Sequence, residues 1–138
     1  MQVMQELKLD VGVVEFAIAG GGVLRFNPAD PNLYGRFADA AQQLSDMERE
    51  LVEKGKDADP RQLLQLMNEA DCRMKQLLNW VFGEGNDFHK ALGGVSLLAV
   101  SANGKTVAAN LFAALEQVLE KGAQALVDAR VDRAKMSL

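Results

Sequence analysis

Hydrophobic and polar positions follow several distinct patterns along the chain. Leu7, Leu9, Val11 and Val13 alternate with Lys8, Asp10 and Gly12. A period of two is that of a strand with one face toward a core. The phase changes near Val13-Val14, after which Phe16 and Ile18 keep apolar spacing of two. "AGGG" then supplies backbone that tolerates positive φ, and "VLRF" follows. The pattern predicts a β-hairpin or small meander over 1–29, with its turn at Gly20 to Gly22.

From Asp30 the period lengthens to that of a helix. Asp30 is placed to cap free amides, and Pro31 suits a first helical position, where its missing N–H costs nothing. Leu33 or Tyr34, Phe37, Ala40 or Ala41, Leu44, Met47 and Leu51 recur three and four apart as one apolar stripe. Glu48, Arg49, Glu50, Glu53 and Lys54 take the other side, and Gly55 ends the run. Asp59-Pro60 repeats the same start. Its stripe is Leu63, Met67, Ala70, Met74, Leu77 and Val81, widened by Leu64, Leu78 and Trp80, and it stops at Gly83. Two such helices joined by the polar loop "KGKDADP" predict an antiparallel helical hairpin over 30–83.

Residues 84–104 read as a loop with one short helix, capped by Asn86 or Asp87 and ending at Gly93-Gly94. Within it, "VSLLAVSANG" fits a short buried strand or a buried helical turn equally well. A last helix is expected over 105–135. It carries Val107, Leu111, Ala114 or Leu115, Val118, Gly122, Ala125 or Leu126, and Ala129. Its alternately charged tail, "DARVDRAKMSL", is expected to fray. The fold class expected is α+β, mostly α, in one domain of 1–138.

Composition narrows the function. Hydrophobic residues make up 49% of the chain, enough for a core and unlike a disordered segment. A net charge of −4 argues against a nucleic-acid partner, which needs basic surface. No apolar run is long enough to span a bilayer, and "MQVMQELKLD" lacks a signal-peptide core, so no membrane partner is expected. Cys72 is the only cysteine and His89 the only histidine. One of each cannot build an internal disulfide or a Cys/His zinc site.

"SANGKT" has the Gly-Lys-Thr of a phosphate-binding loop. The full pattern needs another glycine five positions before Gly104, and Ala99 stands there. The alternating strands and helices of a nucleotide-binding domain are also missing. The expected role of Asn103-Gly104 is a turn, with Asn103 or Thr106 at the start of the last helix. His89 lacks a nucleophile partner and reads as a surface or capping residue. Cys72 reads as a small, semi-buried residue. Trp80 and Phe82 read as core anchors. No catalytic, cofactor-binding or metal-binding residue is assigned.

Several stretches together carry a family resemblance: "FNPADPNLYGRF" before a charged helix, "LLNWVFGEGNDFHKALGG" closing the second, and "SLLAVSANGKTVAANLFAALEQVL". The order, covering roughly Val13 to Leu126, resembles small proteins of the tail-gene clusters of tailed bacteriophages and prophages, similar to tail assembly chaperones. "DPN" and "FGEG" are its most specific pieces. The resemblance implies a non-enzymatic tail assembly factor in the cytoplasm of a bacterial host. Its implied partners are the tape measure protein and the major tail protein, and self-association is left open. The partner surface expected on the first helix is Phe37, Leu44 and Leu51. On the last helix it is Leu111, Leu115 and Val118. The alternative is a structural homo-oligomeric part of a tail or related particle, with the hairpin edge joining a neighbour's sheet.

Overall fold

The computed structural model describes residues 3–18 and 21–136. A two-stranded antiparallel hairpin leads into four helices. The strands are β1 (Val14–Ile18) and β2 (Gly22–Phe26). The helices are α1 (Pro31–Gly55), α2 (Pro60–Phe82), α3 (Phe88–Ala91) and α4 (Val107–Met136). The architecture is the mostly α, α+β arrangement expected. Gly20, named above as one end of the turn, lies outside the described residues. Gly21 has φ of +100° and its amide donates to the Ile18 carbonyl at 3.1 Å.

The first strand is shorter than the alternation predicts. Residues 7–13 carry no strand, and β1 begins at Val14. The phase change is the physical reason. One flat strand would put Leu7, Leu9, Val11 and Val13 on the face opposite Val14, Phe16 and Ile18. The chain turns instead: the Asp10 carboxylate accepts from the Gly12 amide at 2.8 Å, and Gly12 takes φ of +74°. The Asn27 side-chain amide then holds the Val11 carbonyl at 2.9 Å.

The helix boundaries follow their caps. Asp30 accepts from the Asn32 amide, and Pro31 sits in the first turn of α1. Asp59 and Gln62 form a reciprocal capping box on α2. At the end of α2, Gly83 leaves with φ of +89°. Asp87 caps α3. Thr106 Oγ1 accepts from the Ala109 amide at 3.1 Å and so caps α4. The tail expected to fray is helical through Met136. The segment 95–104 is a series of turns, with a single bridge between Val100 and Thr106.

The core gathers where the hairpin, one end of α1/α2, α3 and α4 meet. Leu24, Leu33, Met74, Leu78, Val81, Phe88 and Leu97 are almost wholly buried there. Phe16 stacks on Phe26, which meets the edge of Phe82; Phe82 in turn contacts Phe37 and Phe88. Two glycines let backbones touch. A Cβ on Gly22 would stand 1.9 Å from the Ala91 carbonyl oxygen, and one on Gly122 would stand 1.8 Å from that of Pro28. Among the described residues, no helix is long and apolar enough to cross a membrane.

Candidate protein-docking surface

Among the described residues, the helical hairpin is covered at one end only. α1 runs away from the core and α2 runs back, so the last half of α1 lies beside the first half of α2. No residue of α1 beyond Leu44 and none of α2 before Met74 is buried. The same apolar stripes continue into this half. Met47, Leu51, Leu66 and Met67 are half-buried between the helices, while Val52 is 66% exposed and Leu64 63%. Leu63 lies against Gly55 at the tip.

A shallow groove between the helices is floored by Met47, Leu51, Leu66 and Ala70 and walled by Glu50, Lys54, Glu69 and Arg73. Lys54 bridges to Glu50 at 2.7 Å. That hydrogen bond and the Lys54 charge hold the Glu50 carboxyl below the usual carboxylate range, with Arg73 adding to the effect. Lys56 pairs with Glu53 at 3.0 Å, and Arg49 pairs with Asp46. The surface is therefore an apolar floor between charged walls of both signs, a shape suited to an amphipathic helix.

The six residues named from sequence fall in different places. Leu44, Leu111 and Leu115 are buried within the chain's own core. Phe37 packs on Phe82 and Phe112, and Val118 is half-buried against the core. Leu51 alone of the six lines the groove. The stripes of α1 and α4 face inward near the strands, because those elements cover each other there. Trp80, read as a core anchor, is 57% exposed, whereas its neighbour Phe82 is buried. Cys72 is exposed rather than semi-buried, since it points away from the Met74–Leu78 side of α2.

The "GKT" stretch forms a closed turn. Ser101 donates from its amide to the Lys105 carbonyl at 2.8 Å, and Gly104 takes φ of +82°. The Asn103 carboxamide oxygen accepts from the Lys105 amide, and its amide group donates to Asn110. Lys105 is exposed. The amides of Ser101, Gly104 and Lys105 are thus engaged with the chain itself.

Sequence reasoning missed one polar cluster. Lys75 is 3% exposed, and its ammonium lies 2.9 Å from Asp71, 2.9 Å from His89 Nδ1 and 2.8 Å from the Val95 carbonyl. Asp71 also accepts from the Leu97 amide at 2.8 Å. The cluster ties α2 to the loops around α3. The available signal was spacing: Asp71, Lys75, Leu78 and Phe82 fall on one helical face between apolar neighbours. With every hydrogen-bonding site on the ammonium occupied by protein, the cluster is a clip. Among the described residues, no group of three His, Cys, Asp or Glu side chains is arranged to hold a metal ion.

No known family profile matches the chain, and no curated protein or solved structure matches it significantly.

Proposed function

We propose that the protein is a non-enzymatic tail assembly factor that binds a tail protein through the uncovered half of its helical hairpin. The observation that carries this reading is the continuation of two apolar stripes past the end of the core. Past Leu44 and before Met74 they are never fully covered among the described residues: Leu51 and Leu66 are half-buried, and Val52 and Leu64 are exposed. The partner would lay an amphipathic helix along the groove, its apolar residues on Leu51 and Leu66 and its charges against Glu50, Lys54, Glu69 and Arg73. The tape measure protein, long and helical, offers such a segment, and the major tail protein is the second candidate. The resemblance of "FNPADPNLYGRF" and "VFGEGNDF" to tail-cluster proteins is what names this class of partner. It also sets the expected location, the cytoplasm of the infected or lysogenic bacterium.

A pull-down from phage-infected cells tests the reading. Recovery of the tape measure or major tail protein supports it. A wild-type bait that recovers neither, while folded and abundant, overturns it.

A further inference from the structure

The two edges of the hairpin are not alike. β2 is closed on its outer side. The Asn86 carboxamide accepts from the Arg25 amide at 2.7 Å and donates to the Arg25 carbonyl at 2.8 Å, as a neighbouring strand would. α3 seats against Gly22 at its other end. Among the described residues β1 has no such cover: outside its ladder with β2, no backbone hydrogen bond reaches residues 14–17. An unpaired strand edge is a template for another strand.

The same chain carries a strand-like segment without a partner. No hydrogen bond reaches residues 3–9 among the described residues, and Leu7 and Leu9 are 92% and 79% exposed. Their alternation with Lys8 is the pattern of a strand that has one apolar face. Next to this segment, the Asn27 bond to the Val11 carbonyl and the turn at Asp10–Gly12 fix the chain where it enters the hairpin.

We propose that residues 3–9 of one copy add as a strand to the outer edge of β1 in a second copy. The side-chain pattern fits in either direction of pairing. β1 presents Val14 and Phe16 on its core side and Glu15 on the other, where Glu15 meets Arg25 at 3.5 Å. Setting Leu7 and Leu9 beside Val14 and Phe16 places Lys8 next to Glu15, whether the strands run parallel or antiparallel. Lys8, Glu15 and Arg25 then form a row of alternating charge across three strands. Fully extended, seven residues span about 23 Å, enough to follow all of β1. This inference is independent of the tail partner, because its test contains no other protein.

The test uses the full chain in a Cys72→Ser background. Light scattering across a concentration series should show a species of at least twice the 15.0 kDa chain mass. Leu7→Asp/Leu9→Asp should return it to the monomer with an unchanged helical circular-dichroism spectrum. Both sites are exposed, so the fold does not depend on them. Mixing a Lys8→Cys chain with a Glu15→Cys chain under mild oxidation should give a mixed disulfide. Its yield should exceed that of Lys8→Cys with Lys54→Cys by about tenfold or more, through local effective concentration. A chain that stays monomeric throughout overturns the proposal. So does a mixed disulfide no more abundant than the Lys54→Cys control.

Discussion

Gly122 of α4 lies so close to Pro28 that a Cβ on it would stand 1.8 Å from the Pro28 carbonyl oxygen. This contact lets the loop before α1 rest on the α4 backbone. Tyr34 exploits the same approach. Its hydroxyl lies 2.9 Å from the Pro28 carbonyl and also against the Leu119 carbonyl. Within a helix, glycine normally costs stability relative to alanine, so its presence here needs the close approach as a reason.

Two glycine substitutions should therefore change stability in opposite directions. Gly122→Ala forces α4 off the 28–29 backbone and should cost about 1–3 kcal/mol, the range for overpacking. Gly35→Ala sits in α1 with nothing within 4 Å of its added Cβ and should add about 0.5–1 kcal/mol. Urea unfolding of the two variants measures both. A stabilised Gly122→Ala would mean that α4 does not touch the loop.

Lys75 should be the costliest single polar deletion. Lys75→Ala strands the Asp71 carboxylate in a nearly buried position and should cost about 3 kcal/mol, as for breaking a buried ion pair. His89 is exposed, so water can replace it as an acceptor. His89→Ala should cost about 1 kcal/mol, the worth of an ordinary hydrogen bond. Denaturation midpoints that rank these two variants the other way would contradict the clip.

Asn86 stands in for a strand, and its loss should register at the sheet. Asn86→Ala leaves the Arg25 amide and carbonyl without their partners and should cost about 2 kcal/mol. Hydrogen exchange at the Arg25 amide should accelerate more than at helix amides in the middle of α2. Equal acceleration everywhere would show global destabilisation without a local role.

Alkali should weaken the fold through Tyr34. Burial raises its hydroxyl above the ordinary value of 10.0, while the Ala123 amide pulls the other way. A raised folded value means that folding favours the neutral phenol. Its contribution is fully present below pH 10 and is lost as pH rises through the folded value. Stability measured from neutral pH into alkali should fall less steeply for Tyr34→Phe than for the wild type. As the only tyrosine, Tyr34 also reports its own ionisation by phenolate absorbance.

Much of the scaffold was legible because local chemistry determines it. Asp30-Pro31 and Asp59-Pro60 cap helices that end at Gly55 and just before Gly83, as their spacing requires. The alternation at Leu7–Val13 was legible as strand chemistry, but pairing is non-local, and among the described residues no second strand pairs with it. Which part of each stripe the core covers was not legible for a related reason. Periodicity shows that Leu44 and Leu51 share a face of α1, yet only tertiary packing decides which is covered. Leu44 is buried by the core, and Leu51 lies beyond its reach. Lys75 escaped notice, and Asn86 was read only as a possible cap of α3, because their partners, His89 and Arg25, belong to other elements.

The central claim is that the bare half of the helical hairpin holds a tail protein. Its most direct test is co-expression with a phage tape measure protein, followed by affinity purification and gel filtration. The account predicts a soluble complex with the wild-type chain. It predicts loss of that complex with Leu66→Asp/Arg73→Glu, which changes the floor and one wall of the groove, in a variant whose helical circular-dichroism spectrum is unchanged. A tape measure protein that never co-elutes with the folded wild-type chain would contradict the account, as would one held equally well by the double variant.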